Sequence, residues 1–407
     1  MTKRKKYLTC SRKYDLPLFC AAWTGAVAPK PGSEKAEGAE VEGEVAESRA
    51  PVVAGVGHVV FGGGGGDRKS GLKNKLLLAN YDFSSDVLSE AIHTLSTDDD
   101  PPYRLAVHPG SNEIVCSVSK DCRLVELNAE EDVKLELSKK VVQPLQNIGE
   151  QNCLVFNRDG TRLATGGEDG HLRVFEWPSL KLVLDKPGAH TAVKDIDFSL
   201  DGSMLVSTGD DGPCRVWDLS KDSVVTSLSP SKGGTLGFCR FSRDGTKPFL
   251  FVTMREGGRG VISIWDTTTW KKRTSRRLSE DPISAFSISP DGRFLAIGTS
   301  EGDMKVVSAK NLAVIQQVKN AHMVFVTSME FSPNGRALLS VSGDSSARIT
   351  VIADLSKGEG WRVYLLILLV LLVSYWFFIA SKQGEGGKDI HLQTLISDAL
   401  GRLGIRT

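Results

Sequence analysis

FNRDGTRLATGGEDGHLRVFEW at residues 156–177 and FSLDGSMLVSTGDDGPCRVWDL at 198–219 align without a gap, and their shared pattern decides the reading of this chain. Each holds an Asp-Gly turn, a run of alternating apolar and polar residues, a second Gly/Asp-rich turn, and a further run ending at an aromatic and an acid. Two more copies stand at 288–307 (ISPDGRFLAIGTSEGDMKVV) and 331–352 (FSPNGRALLSVSGDSSARITVI). A fifth, FSRDGTKPFLFVTMREGGRGVISIWDT at 241–267, carries an insertion, and VHPGSNEIVCSVSKDCRLVEL at 107–127 is a sixth. The turn glycines Gly160, Gly202, Gly245, Gly292 and Gly335 are 42, 43, 47 and 43 residues apart. Period-two alternation predicts strands, and the Asp-Gly and Asn-Gly pairs supply the positive φ of tight hairpins.

A period near 43 with Trp217-Asp218 and Trp265-Asp266 is the mark of WD repeats, each supplying one blade of a β-propeller. His190 and His322 precede their repeats as structural blade residues rather than metal ligands. Six blades are visible. The seventh is expected from Leu16–Trp23, Pro51–Phe61 and Lys75–Phe83. The acidic stretch 29–51 between the first two is free of aromatics and reads as a disordered insertion. The expectation is an all-β, seven-bladed WD-repeat β-propeller over 14–358, preceded by a basic tail (1–13) and followed by a single C-terminal transmembrane helix.

That helix is assigned to VYLLILLVLLVSYWFFIA (363–380), 18 residues without a charge. At 1.5 Å per residue it spans about 27 Å, enough for a thin bilayer such as that of the endoplasmic reticulum. Flanking Lys and Arg are too evenly divided to set its orientation. The seven scattered cysteines fit a reducing compartment, and no secretory leader is recognisable, so the propeller is expected in the cytosol and 381–407 in the lumen. A net charge of +1 gives no whole-molecule attraction to nucleic acid. The cysteines form no zinc-spaced pairs.

One stretch does not serve the repeat. Residues 61–78, FGGGGGDRKSGLKNKLLL, fail the P-loop spacing, since Arg68 stands where the glycine before Lys69-Ser70 is required. Asp67 and Arg68 likewise break the dinucleotide fingerprint. The run therefore reads as an over-long hairpin loop, 62–76, between two strands of the first blade.

A propeller with this loop and one C-terminal apolar span resembles the Sec-twelve family, membrane-bound guanine-nucleotide exchange factors of the endoplasmic reticulum that activate a Sar-type small GTPase and begin COPII coat assembly. The resemblance covers roughly residues 14–380 and is carried by GGGGGDRKSGLKNKL (62–76), DDDPPYRLAVHP (98–109), HLRVFEWPSL, CRVWDL and LAIGTSEGD. It implies that 62–76 is a catalytic loop holding a potassium ion through carbonyls of Gly62, Gly63, Gly64, Gly65, Gly66 and Gly71 and the Asn74 side chain, with Asp67 or Ser70 as further oxygen ligands. It also implies that Leu72, Lys73, Asn74 and Lys75 meet the GTPase beside its switches. Glycines let carbonyls converge on a hard cation without Cβ clashes, but they do not choose among monovalent ions.

DGTKPFLF (244–251) and TWKK (269–272) look instead like a plant phosphate-transporter traffic facilitator, a Sec-twelve-like protein with degenerate exchange residues. A non-catalytic exit factor for membrane cargo, with COPII components or transporters as partners, is the alternative. Exchange itself makes and breaks no covalent bond, and the chain shows none of the hydrolase or metalloprotease motifs, so an enzyme in the covalent sense is not expected.

Overall fold

Strands form where apolar residues recur every second position, and a sheet so patterned must cover its faces. In the computed structural model this is done seven times over: seven antiparallel sheets of four strands stand in a ring. The structure describes residues 9–24, 55–66, 71–128, 132–140, 142–230, 233–352 and 368–376. Blade 1 covers 18–98, blade 2 104–137, blade 3 151–186, blade 4 193–228, blade 5 234–279 and blade 6 283–318. Middle strands such as Phe294–Thr299 and Ala337–Ser342 are buried along their whole length, because a neighbouring blade covers each face. Seven apolar clusters result, one at every junction between adjacent blades.

Blade 1 is the blade expected from the N-terminal region. Its strands are Leu18–Trp23, Val56–Gly63 and Asn74–Asp82, with Val87–Asp98 outermost. The basic tail expected over 1–13 needs correction. Thr9–Lys13 is a strand, paired antiparallel with Ser346–Val351 from Thr9↔Thr350 to Lys13↔Ser346, and it is the outer strand of blade 7. Blade 7 has only three strands of its own (326–351), so its edge would present unpaired N–H and C=O groups without this addition. The five residues TCSRK bear none of the repeat's landmarks, which is why the sequence alone reads them as tail.

Strand directions alternate within a blade. One face of the ring therefore carries the turns between second and third strands and the links from one blade to the next. The other carries the remaining hairpins. The loop 64–73 and the links 14–17 and 99–103 share the first face, where Gly64 N–H donates to Pro17 O at 3.0 Å and Tyr14 N–H to Ser345 O at 2.8 Å. Thr9 enters and Ile352 leaves on the opposite face, where Ile352 N–H donates to Arg336 O at 2.8 Å.

The chain divides into two units, 1–352 and 353–407. In the second, residues 368–376 are helical, inside the expected span 363–380. Among the described residues no helix is long and apolar enough to cross a membrane. The insertion 29–51, the ends of 363–380 and the tail 381–407 lie outside the described residues.

The seam between blades 1 and 7 is polar as well as apolar. Trp23 N–H donates to Glu330 Oε2 at 2.9 Å, and Thr327 Oγ1–H to Leu18 O at 2.8 Å. Burial pushes the Glu330 carboxyl up from 4.5 to about 7, the Trp23 N–H opposing it only in part. The folded state thus holds this proton more tightly than the unfolded state does. Stability from the group is complete below about pH 4.5 and is lost as pH rises through 7. Glu330→Gln keeps an acceptor for Trp23 and removes the charge. It should raise the thermal midpoint at pH 8 by an amount corresponding to roughly 1–3 kcal/mol, with no gain at pH 4.5, read by differential scanning calorimetry at both pH values. Deleting residues 1–13 should lower the midpoint at either pH.

Candidate functional site: the glycine loop of blade 1

The glycine run divides in two. Gly62 and Gly63 end the strand Val56–Gly63, in register with Leu76 and Lys75 on one side and with Cys20 and Leu18 on the other. A Cβ on Gly63 would lie 2.1 Å from Pro17 O, and one on Gly62 would lie 2.6 Å from Cys20 Sγ and 3.0 Å from Pro102 O. These two glycines serve close packing of backbone on backbone. The loop proper is 64–73. Gly64 has φ +151°, and a Cβ there would meet Asn74 Oδ1 at 2.2 Å.

Asn74 is the clasp. It is 3% exposed, accepts the Gly66 N–H at Oδ1 (3.1 Å), and faces Gly66 O with Nδ2 at 3.4 Å. One side chain thereby closes both backbone groups of the residue at which the loop departs. Beyond it Leu72 is 47% exposed and Lys73 and Gly71 are exposed, while Lys75 is half-buried in the strand Asn74–Asp82. Asp67 and Ser70 lie outside the described residues. Of the expected partner contacts, Leu72 and Lys73 thus share an outward position. Asn74 is separated from them, turned inward against the loop's own backbone.

Two segments far apart in sequence support this stem. Asn74 pairs with Asp98, and the register slips there, leaving Thr97 as the extra residue. Thr97 is buried and its Oγ1 has no partner among the described residues. The Arg123 guanidinium donates to Thr97 O at 3.2 Å and pairs with the Asp100 carboxylate. Cys20 Sγ–H points at Pro102 O at 3.3 Å, and burial pushes that thiol up to about 12, so it stays a neutral donor. The stretch 98–109, which carried part of the resemblance, is thereby placed against the glycine stem. Pro17, Cys20 and Arg123 were missed by sequence reading, because none belongs to a local motif. Only the pairing of strands brings them here.

The donors offered by the described part of the loop are neutral oxygens: the carbonyls of Gly64, Gly65, Gly66 and Gly71 and the Asn74 amide. No group of three His, Cys, Asp or Glu that could hold a metal occurs among the described residues. Such a donor set fits a monovalent hard cation, and it does not fit a transition metal, which favours imidazole and thiolate.

Other polar clusters are accounted for within the propeller. His190 Nδ1 lies 2.5 Å from Asp211 Oδ1 and its Nε2 2.8 Å from Ser207 Oγ, which also accepts the Trp217 indole N–H at 2.9 Å. His322 sits between the hydroxyls of Ser346 and Ser340 at 2.6 and 2.8 Å, and burial lowers it to about 4. Both rings tie the link entering a blade to that blade's own strands. In the central channel Arg240 pairs with Asp195, and Arg243 with Asp197 at 2.6 Å.

Comparison with known proteins bears on this arrangement. The WD domain, G-beta repeat matches residues 144–176, 182–218 and 314–350. SEC12-like proteins 1 and 2 of Arabidopsis thaliana are 37% and 38% identical to this chain, over 71% and 72% of its length and 74% and 76% of theirs. The chain belongs to the SEC12-like family. The guanine nucleotide-exchange factor SEC12 of Rattus norvegicus is 26% identical over 74% of this chain and 79% of its own length. Two of the repeat matches begin one strand before a blade, at Leu182–Lys186 and Val314–Val318. In this SEC12-like chain, then, those two sequence repeats each join the outer strand of one blade to the three inner strands of the next.

Asn74→Ala removes the clasp while leaving the seven blade junctions intact. The expected cost is about 1–2 kcal/mol for the orphaned Gly66 groups. Limited proteolysis should show cleavage within 64–73 accelerated several-fold. Equal protease resistance in wild type and variant would remove Asn74 from this role.

Proposed function

We propose that this protein is a guanine-nucleotide exchange factor acting on a Sar-type small GTPase at the endoplasmic-reticulum membrane, so starting COPII vesicle formation for transport to the Golgi. The observation that carries the reading is the glycine loop: a ten-residue excursion, pinned at its root by a buried Asn74, that projects Leu72 and Lys73 from a rigid scaffold. A membrane-spanning helix at 363–380 belongs to the same proposal, since a GTPase destined for a bilayer meets its activator at a higher effective concentration there.

Exchange needs preferential binding of the nucleotide-free GTPase over the nucleotide-bound form, and no bond in the protein is made or broken. Leu72 and Lys73 are the groups that touch the partner. Asn74 and Gly64 hold the loop so that little ordering is left to be done on binding. A potassium ion, held by the Gly64–Gly66 and Gly71 carbonyls and Asn74, would supply fixed positive charge that stiffens the turn.

The test is nucleotide exchange on a purified Sar-type GTPase, followed by its tryptophan fluorescence, in potassium and in sodium. The wild-type chain should accelerate exchange in potassium, and Asn74→Ala should reduce kcat/KM at least about tenfold, a loss of about 1.4 kcal/mol in transition-state stabilisation. No acceleration by folded wild-type protein in either salt would favour the non-catalytic traffic facilitator for membrane cargo. That second reading is supported by DGTKPFLF (244–251) and TWKK (269–272), which look like the plant traffic facilitator.

A further inference from the structure

Large exposed apolar side chains are scarce in the loops of the glycine-loop face. Among the described residues they are Leu72 and three in a row, Met323, Val324 and Phe325, which are 79%, 40% and 50% exposed. The triplet lies in the link between blades 6 and 7, directly after the buried His322.

The blade does not require these residues. Blade 4 is entered by the same device, a buried histidine followed by the inner strand, and there the sequence is His190-Thr191-Ala192-Val193. In blade 7 it is His322-Met323-Val324-Phe325-Val326, one residue longer and apolar throughout. Both valines are fully buried and begin the inner strand, so the added bulk falls wholly on the exposed link.

The exposed triplet is also held in place. Met323 N–H donates to Asp344 Oδ2 at 2.6 Å, and Ser342 Oγ–H to Phe325 O at 2.9 Å. His322 is fixed on both ring nitrogens. An apolar group that is exposed yet tied down through its backbone loses little freedom when covered, which is the condition for an interface anchor.

Contacts lead from the triplet to the candidate site. A Cβ on Gly343 would lie 3.7 Å from Val324 Cγ2 and 3.8 Å from the Phe325 ring. Two residues on, Ser345 O accepts the Tyr14 N–H. Pro17, on the same link as Tyr14, accepts the Gly64 N–H at the root of the glycine loop. Patch and loop therefore stand on blades 7 and 1 of one face, joined by the link 14–17.

We propose that Met323, Val324 and Phe325 form a second docking point for the small GTPase, receiving an apolar segment of its surface while Leu72 and Lys73 engage it at the loop. This rests on the exchange-factor reading. The occupant follows from position: the patch stands on the same face as Leu72 and Lys73, on the blade next to the one that carries the loop. The patch contributes affinity and the loop contributes turnover, so the two are separable in kinetics.

The full chain in detergent, as wild type and as Met323→Ser/Phe325→Ser, is assayed for exchange on the GDP-loaded Sar-type GTPase and for equilibrium binding of its nucleotide-free form. Both substituted positions are exposed, so the thermal midpoint should not move. The expected result is a KM and a Kd raised about tenfold at unchanged kcat, the pattern of lost uniform binding. Unchanged KM and Kd in the double variant, with an active wild type, overturn this inference and leave the exchange-factor reading standing. A wild type that binds but does not exchange overturns that reading, and the patch is then judged by Kd alone. A wild type that neither binds nor exchanges overturns both. Light scattering on the same samples adds one further outcome: a wild-type dimer split by the double substitution would make the patch a contact between two copies, and that too overturns the proposal.

Discussion

Ring closure governs this molecule. A single blade is apolar on both faces and cannot stand in water alone, and every one of the seven apolar clusters is shared between neighbours. An open ring would expose two such faces at once. The seam between blades 1 and 7 is therefore where the architecture is either completed or lost, and it is reinforced by three kinds of interaction. Thr9–Lys13 adds its strand to blade 7, Trp23 and Thr327 make polar contacts across the inner strands, and Trp23, Tyr81 and Phe83 pack their rings in the flanking cluster.

The candidate site stands beside that seam, and this has a physical benefit. Closing the ring fixes Pro17 relative to Gly63 and Gly64, and so fixes the direction in which the loop leaves the scaffold. Loops that carry function on β-scaffolds gain their precision from the rigid elements at their roots. Here the root is held by the Asn74 amide from within, and by Pro17, Pro102 and the Arg123–Asp100 pair from outside.

Much of this was legible in the sequence, for identifiable reasons. The Asp-Gly turns and the 43-residue period are local signals, and local signals survive in one dimension. Blades 2 to 7 and the loop's place between two strands of blade 1 follow from them. Thr9–Lys13 was not legible, because a five-residue outer strand is specified by its partner 337 residues away and not by its own pattern (Lys13↔Ser346 is 333 apart, Thr9↔Thr350 341). Nor was the inward turn of Asn74. In sequence it is one polar residue among Leu72, Lys73 and Lys75, and only the positive φ of Gly64 and the slip at Thr97 make room for its amide inside. The acidic-Pro stretch 98–109 was conspicuous in the sequence, but its contact with the glycine stem is a matter of pairing between strands, which spacing does not encode.

The pairing of Thr9–Lys13 with Ser346–Val351 also sets an order of events during synthesis. Thr9–Lys13 finds its partner only when Ser346–Val351 has been made, so the ring stays open until all seven blades have been synthesised. Contacts at such separations in sequence carry a large closure entropy and form late. For that interval the early strand must avoid other edges. Its brevity and its Arg12-Lys13 end suit it to waiting, since short, charged edges are poor templates for unwanted pairing. The apolar stretch 363–380 follows soon after the closing strand, so the propeller becomes competent to close at about the moment that the chain offers its most hydrophobic segment.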